Sequence, residues 1–229
     1  MVILDEAQML PVSLLKPCLE DLRELSASYG STIVLCTATQ PALSKSTEFE
    51  GGLEGVREII PDPVALYNTF KKVDMINLAT LANEELAEQL LRHRQVLCIV
   101  NTRRHAREVF ELIRNHEEGA FHLSALMCPA HRTDILRKVR QILDDKKLCR
   151  VVSTQLIEAG VDIDFPVVFR SMSGIDSIAQ AAGRCNREGQ LTQNGLVYVF
   201  MPEASLPPGY FRQTAETSEE VIRHHDDPL

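Results

Sequence analysis

The sequence predicts an α/β protein built on a mostly parallel sheet with helices on both faces, arranged as one complete domain preceded by a partial one. Short apolar runs alternate with longer amphipathic stretches, which is typical of strands followed by crossover helices. Polar residues follow the apolar runs directly, at the edge where parallel strands end together. No apolar run approaches the roughly 18 residues of a membrane-spanning helix, so we expect no membrane segment.

Composition and charge are those of a globular protein of 229 residues, of which 45% are apolar and 24% are charged. The chain carries 24 Lys and Arg residues against 32 Asp and Glu residues, a net charge of 24 − 32 = −8. Residues 71–205 are near neutral, with 18 basic and 17 acidic residues, so we expect this part to face an anion. The six cysteines are scattered, several within apolar runs, which favours a reducing, cytoplasmic location.

Residues 1–48 are expected to form only part of a domain. Val2–Leu4 and residues 32–36 are short apolar runs that predict strands, and residues 14–25 carry apolar side chains at helical spacing. Two strands are too few for a parallel sheet that is covered on both faces. Residues 49–70 contain several Gly and Pro residues and are expected to be a linker.

Residues 71–205 repeat the alternation often enough for a complete domain. Parallel strands need crossover connections, and the helical stretches supply them. Residues 206–229 are rich in acids and prolines and are expected to be a flexible tail. The predicted strands of the complete domain are 75–78, 96–100, 121–126, 150–153, 167–170 and 195–201, and its predicted helices are 84–94, 103–115, 133–143 and 177–185.

Two adjacent carboxylates, Asp5 and Glu6, follow the first predicted strand. Mg²⁺ bound to nucleotide phosphates needs one carboxylate, and a second carboxylate can orient and deprotonate attacking water. Acids at this position are also typical of a helix N-terminus, where they stabilise the helix dipole. Thr37 and Thr39 end the next strand, where hydroxyls are expected to reach across to the carboxylate loop.

Gln180, Arg184 and Arg187 stand at positions i, i+4 and i+7, on one face if the segment is helical. Two guanidiniums and an amide on one face suit a γ-phosphate and its attacking water, because Arg makes forked contacts with phosphate. An arginine finger from a facing domain is worth about 10³–10⁵ in rate. A solvated basic helix is the alternative.

Two further polar segments also follow predicted strands. Thr154 ends a strand and leads to Gly160, which permits close backbone approach, and to Asp162, which can accept a sugar hydroxyl. Asn101, Thr102 and Arg103 repeat this arrangement after another strand. Hydroxyl and amide groups at such strand ends fit the phosphates of a nucleic acid.

In order and spacing, these five segments resemble the motor core of superfamily 2 helicases. Residues 5–8 are similar to the Walker B box, residues 37–39 to the coupling motif, and residues 180–187 to the arginine-finger motif. Residues 101–103 and 154–162 resemble the nucleic-acid and nucleotide motifs of the second RecA-like domain. The runs at 35–43, 122–132, 153–166 and 180–189 narrow the resemblance to the CRISPR-associated helicase-nuclease of type I systems, over residues 1 to about 212.

The resemblance implies a RecA-like fold and an enzyme of antiviral defence that uses ATP and Mg²⁺ to translocate 3′→5′ on single-stranded DNA. In that family the Cascade surveillance complex recruits the enzyme, which feeds the strand to an HD-type nuclease domain. Asp5 and Glu6 would then serve Mg²⁺ and water, and Gln180, Arg184 and Arg187 the γ-phosphate. The other implied roles are interdomain coupling at Gln8, Thr37 and Thr39, nucleotide contact at Gly160 and Asp162, and DNA contact at Asn101, Thr102, Arg103 and Thr154.

The sequence departs from that family in two respects. It contains neither a G-x-x-x-x-G-K-S/T phosphate loop nor the clustered His and Asp ligands of an HD nuclease. We therefore expect a C-terminal motor fragment that lacks the N-terminal helicase and nuclease portions and does not hydrolyse ATP alone. Two alternatives remain open: a non-catalytic RecA-like module that binds single-stranded nucleic acid or a Cascade-like partner, and half of a DEAD-box RNA helicase.

Overall fold

The computed structural model describes residues 1–37, 43–47, 49–116, 118–158, 161–204 and 209–224. The chain divides into two compact units, Met1–Phe70 and Lys71–Leu229. Among the described residues, no helix is both long enough and apolar enough to span a membrane.

Unit 1 is built around a pair of parallel strands with a helix between them in the chain. Its elements are β1 (Val2–Leu4), α1 (Leu15–Ala27), β2 (Ile33–Leu35) and α2 (Pro63–Phe70). Ile3 of β1 is paired with Val34 of β2. Part of the segment that the sequence predicts as a linker packs on this unit, because the guanidinium of Arg23 in α1 donates to the carbonyl of Gly52 at 2.8 Å.

Unit 2 contains a six-stranded sheet, and every neighbouring pair of its strands is parallel. The strand order is β3-β8-β7-β4-β6-β5. This confirms the predicted α/β class with a parallel sheet flanked by helices. The strands are β3 (Val73–Leu81), β4 (Gln95–Val100), β5 (Ala120–Leu123), β6 (Cys149–Thr154), β7 (Val167–Ser171) and β8 (Gly195–Pro202), and the helices are α3 (Asn83–Leu91), α4 (Arg103–Ile113), α5 (Pro129–Asp144), α6 (Ile175–Ala182) and α7 (Tyr210–His224).

The core of unit 2 lies on both faces of the sheet, because side chains of a strand alternate between the faces. In β4, Leu97 and Ile99 face the layer that contains residues of α5, α6 and α7. Val96, Cys98 and Val100 face the layer that contains residues of α3 and α4. All five β4 side chains are at most 1% exposed, so a continuous apolar run is what this strand requires.

Polar side chains on the strands satisfy carbonyl groups at helix C-termini. Gln95 at the start of β4 donates through Nε2 to the carbonyls of Leu143, at 3.2 Å, and Lys147, at 3.1 Å, near the end of α5. Arg150 in β6 donates through Nη2 to the carbonyl of Leu91 at the end of α3, at 2.8 Å. These bonds fix two helix ends against the sheet, since the last carbonyls of a helix lack partners within it.

Residues 210–224 correct the prediction of a flexible tail over 206–229. They form α7, and three of its residues are buried: Ala215 at 1%, Ser218 at 3% and Ile222 at 7% exposure. These positions are spaced i, i+3 and i+7, so they lie on one face of the helix. The acidic composition of the segment masked this stripe, because the acids occupy the opposite, solvated face.

Three cysteines of unit 2, Cys98, Cys149 and Cys185, are buried free thiols. Burial raises the pKa of each of these thiols to about 12. They therefore act as small apolar core residues, as their positions within apolar runs predict.

Candidate functional site

The carboxylates of Asp5 and Glu6 are exposed where β1 ends in unit 1. The Oδ1 of Asp5 accepts the backbone N–H of Glu6 at 3.1 Å, and the side-chain amide of Gln8 donates to Glu6 Oε2. Glu6 has a φ of 54°, a left-handed conformation that is uncommon for residues other than glycine. The sharp turn leaves both carboxylates directly after the strand, where the sequence places them.

The next strand of unit 1 ends beside this loop. The backbone N–H of Ala7 donates to the carbonyl of Cys36 at 3.0 Å, which joins the Asp5–Glu6 loop to the end of β2. Thr37 follows at once and is exposed. Thr39, the other predicted coupling residue, lies outside the described residues.

The three predicted DNA-contacting residues after β4 have different surroundings in unit 2. The side chain of Asn101 is engaged within the protein, because its Nδ2 donates to the Met172 carbonyl at 2.7 Å and its Oδ1 accepts Arg170 Nη1 at 2.8 Å. Thr102 is the N-cap of α4, and its hydroxyl accepts the backbone N–H of His105 at 3.2 Å. Arg103 is exposed in the first turn of α4.

A buried ion pair supports this region, and the sequence analysis missed it. Arg170 in β7 is fully buried, and its Nε lies 2.8 Å from Oε1 of Glu158, which is 6% exposed. Ser177 in α6 accepts Arg170 Nη2 at 2.8 Å and donates to Glu158 Oε2 at 2.6 Å. Burial raises the pKa of the Glu158 carboxyl, against the opposing effects of Arg170 and the Ser177 hydrogen bond. The one signal in the sequence is a charged residue inside the apolar run of β7.

The segment after β6 carries the predicted nucleotide contacts. Thr154 ends β6 and is 9% exposed. Asp162 has an exposed side chain, and its backbone carbonyl accepts Arg140 Nε of α5 at 2.6 Å. Gly160 lies outside the described residues.

The arginine segment corrects the prediction that Gln180, Arg184 and Arg187 share one helical face. Helix α6 ends at Ala182, so Gln180 alone of the three is helical. The helix ends because residues 184 and 185 donate to the carbonyls three positions earlier, and Cys185 then pairs with Phe165 in an extended bridge.

The two arginines of this segment have distinct environments. Arg184 donates through Nε to the carbonyl of Ile157 at 3.1 Å and through Nη2 to that of Glu158, so it binds the backbone that follows β6. Burial lowers the pKa of Arg184, and the nearby charge of Arg187 lowers it further. Arg187 remains 42% exposed, and its Nη1 lies 3.2 Å from Oδ1 of Asp162. The structure therefore brings together Asp162 and Arg187 from two separately predicted motifs.

Comparison with known proteins finds relatives of much of this chain. Residues 92–190 match the family model described as "CRISPR-associated nuclease/helicase Cas3, C-terminal". The CRISPR-associated nuclease/helicase Cas3 of Methanothermobacter thermautotrophicus is 26% identical over 204 residues, which are 81% of this chain and 24% of that protein. The chain thus spans about a quarter of the length of this curated relative.

Solved structures show the same fold. The crystal structure of T. fusca Cas3-ATP matches with a TM-score of 0.68 and 17% identity, over 99% of this chain and 33% of that one. A chain of a structure titled "CRISPR RNA-guided surveillance complex, pre-nicking" matches with a TM-score of 0.65 and 16% identity, over 98% of this chain and 35% of that one. The resemblance stated from the sequence is confirmed: the chain is similar to the C-terminal helicase region of Cas3, and residues 92–190 match the Cas3 C-terminal family model.

Proposed function

We propose that this chain supplies the C-terminal motor portion of an ATP-dependent helicase that moves 3′→5′ along single-stranded DNA during CRISPR interference in the cytoplasm. Residues 1–48 belong to the first RecA-like domain, residues 49–70 link the domains, and residues 71–205 form the second RecA-like domain. The isolated chain hydrolyses no ATP, because the phosphate-binding loop of such motors does not occur in its sequence.

The observation that carries the proposal is the placement of Arg187. Its guanidinium is exposed and lies 3.2 Å from the carboxylate of Asp162, on a loop that is paired through Cys185 with Phe165, just before the start of β7. An exposed guanidinium beside a residue suited to a ribose hydroxyl fits a nucleotide whose γ-phosphate the guanidinium contacts. Arg187 is then the principal arginine finger. Arg184 is a second γ-phosphate contact from a position set by its backbone hydrogen bonds, and Gln180 orients water.

The loop after β1 fits the Mg²⁺ of an Mg–ATP complex. Asp5 and Glu6 are adjacent in the loop, and they offer exposed carboxylate oxygens, which are the donors that Mg²⁺ prefers. Mg²⁺ bound with ATP would neutralise charge that develops on the phosphates. Gln8, Thr37 and Thr39 would couple this loop to domain movement, a role for which the Gln8–Glu6 hydrogen bond is suited.

Single-stranded DNA is the proposed track of the motor. Arg103 supplies an exposed cation in the first turn of α4, and Thr102 and Thr154 lie at the ends of adjacent parallel strands. Asn101 sets the position of this strand end, because its amide is bonded to the core network. These contacts are to phosphate and carry no sequence preference.

Partners follow from the relatives. The likeness to a chain in a CRISPR RNA-guided surveillance complex supports recruitment by Cascade. The N-terminal helicase portion and an HD nuclease would complete the protein, in line with the nuclease/helicase names of relatives about four times as long as the matched region.

ATP hydrolysis with and without single-stranded DNA tests the proposal. The chain is assayed alone, and mixed with a separately expressed first-domain segment whose sequence contains a G-x-x-x-x-G-K-S/T loop. We expect DNA-stimulated turnover in the mixture only, and a loss of about 10³-fold or more with Arg187→Ala. The matched control Arg223→Ala removes an arginine that is 70% exposed in α7 and should leave turnover unchanged.

Four results would contradict the proposal. Turnover by the isolated chain would disprove the claim that ATP hydrolysis needs a phosphate loop supplied by another segment. Full turnover with Arg187→Ala would disprove the finger. Salt-dependent binding of single-stranded DNA with no ATPase in any mixture would instead support the non-catalytic module, and a preference for RNA of equal length would support an RNA helicase half.

A further inference from the structure

Arg187 is anchored at its backbone as well as at its guanidinium. Its backbone N–H donates to Oδ1 of Asp164 at 2.8 Å, and its carbonyl accepts Nζ of Lys72 at 3.3 Å. Its Nη1 lies 3.2 Å from Oδ1 of Asp162. Asp164 and Lys72 therefore bind the main chain of Arg187, and Asp162 binds its guanidinium.

The carboxylate of Asp164 binds two consecutive N–H groups. Oδ1 accepts from Arg187, and Oδ2 accepts from the N–H of Glu188 at 3.0 Å. Hydrogen bonds from backbone N–H groups to a charged carboxylate are about twice as strong as neutral ones. An amide in place of the carboxylate would turn one acceptor into a donor that faces an N–H group, so this position requires an acid.

The flanking backbone fixes the register of Asp164 against Arg187. The N–H of Phe165 donates to the carbonyl of Arg184 at 2.9 Å, and the N–H of Asn186 donates to the carbonyl of Phe165 at 3.0 Å. Asn186 is 4% exposed and has a φ of 47°, so the chain reverses sharply just before Arg187.

Lys72 closes the loop from the start of β3. Asn186 Nδ2 donates to the Lys72 carbonyl at 3.0 Å, while the Lys72 ammonium reaches the carbonyl of Arg187. The Lys72 side chain passes over Gly189, where an added Cβ would lie 2.8 Å from Lys72 Nζ. The Lys72 ammonium is the flexible end of its side chain and could move aside, so the φ of 65° is the feature that favours glycine at position 189.

We propose that Asp164 is a positioning residue for the arginine finger, and that Asp164 and Asp162 have separate tasks. Asp162 pairs with the exposed guanidinium of Arg187, so a phosphate group can replace the Asp162 carboxylate as the partner of that guanidinium. Asp164 binds the main chain and keeps Arg187 in place whichever anion its side chain contacts. Such pre-organisation matters because a displacement of about 1 Å at a reacting group can cost about 10² in rate. The inference rests on the proposed function of Arg187.

The first test measures local order in the chain itself. Amide hydrogen exchange is compared for the unsubstituted chain, Asp164→Asn and the control Asp74→Asn, whose carboxylate accepts Asn194 Nδ2 at 2.9 Å on the surface of β3. We expect exchange at Arg187 and Glu188 to be at least about tenfold faster in Asp164→Asn alone, while exchange at amides in the core strands of unit 2 stays the same in all three chains. Unchanged exchange at both amides would overturn the proposal.

The second test asks whether Asp164 acts through Arg187. In the reconstituted ATPase mixture, Asp164→Asn should lower kcat by about 10²-fold and leave KM for ATP nearly unchanged. In the Arg187→Ala background the same substitution should change kcat no further, because the finger is already absent. If the two losses multiply, or if Asp164→Asn retains full kcat, Asp164 is not a positioning residue.

A failure of the proposed function has a different signature. If the mixture shows no turnover, or if Arg187→Ala retains full turnover, the finger assignment fails and this inference fails with it, whatever the exchange rates. If Arg187→Ala abolishes turnover and Asp164→Asn does not reduce it, the finger stands and the positioning role alone is overturned.

Discussion

At the scale of single residues, the Arg170–Glu158 ion pair is the centre of a buried hydrogen-bond network in unit 2. A guanidinium taken out of water loses its hydration, and it is stable here because Glu158, Ser177 and Asn101 all contact it. These partners come from the end of β4, from the segment after β6 and from α6. One buried charge therefore ties together the parts of the chain from which the proposed DNA and nucleotide contacts project.

Breaking this pair should be costly. We expect Arg170→Ala to lower the free energy of unfolding by about 3–5 kcal/mol, because it leaves the Glu158 carboxylate buried and unpaired. Urea unfolding followed by circular dichroism measures the loss. The matched control, Arg137→Ala, removes an exposed partner of Asp134 and should cost under about 1 kcal/mol. Equal costs for the two variants would mean that the pair contributes little.

The double replacement Arg170→Met with Glu158→Leu separates pairing from packing. It removes both charges together, so we expect it to be less destabilising than Arg170→Ala alone. A double variant that is less stable than the single one would show that the network fixes the fold through its hydrogen bonds to Ser177 and Asn101.

Sequence reasoning reached some of these residues and missed others for a physical reason. The motifs of Asp162 and Arg187 predict contact with one nucleotide, and the structure places their charged groups 3.2 Å apart. Glu158 and Arg170 belong to no motif, and a charge within an apolar run does not identify its partner. The sequence also does not predict the hydrogen bonds of Asn101 to Arg170 and Met172, because β7 and the residue after it are distant from Asn101 in the chain.

At the scale of elements, apolar periodicity located the strands and most helices of unit 2. It was wrong about the ends of α6 and about α7. The end of α6 depends on a bridge between Phe165 and Cys185, a tertiary contact that no local pattern reports. Helix α7 has a narrow apolar stripe of small residues among acids, which composition alone classifies as solvated.

The packing of α7 is open to a direct test with neighbouring residues. We expect Ile222→Ala to lower the free energy of unfolding by about 2–5 kcal/mol, because Ile222 is 7% exposed against the core. Val221 is 36% exposed on the same helix, and Val221→Ala should cost far less. Thermal unfolding of both variants measures the difference. Equal, small effects would mean that residues 210–224 do not pack on the core and form the flexible tail that the sequence predicts.

At the scale of the whole molecule, a sheet that is covered on both faces leaves ionisable groups in places that water reaches poorly. Burial lowers the pKa of His93, His105 and His122 in unit 2. For His105 the opposing effect of Glu108 is the smaller one. The folded protein therefore holds these imidazoles neutral at a pH where the unfolded chain binds protons.

This difference should appear as acid sensitivity. An unfolded histidine has a pKa of about 6.5, so the unfolded state gains protons first and the free energy of unfolding falls as the pH is lowered below that value. Urea unfolding at successive pH values between neutral and mildly acidic measures the slope. Glu158 acts in the opposite sense because its pKa is raised, so His105→Gln is the needed comparison and should flatten the slope. An unchanged slope would show that His105 does not contribute to the pH dependence of stability.

The order of the strands also has a consequence for how the protein is made. The first strand of unit 2, β3, lies at a sheet edge and pairs with the last, β8, so that Val73 meets Gly195 across 195 − 73 = 122 residues of chain. At about 5–20 residues per second, a ribosome needs roughly 6–24 s between the synthesis of these two partners. The sheet cannot be completed before Gly195 has been synthesised, and until then β3 lacks the strand with which it pairs in the folded protein.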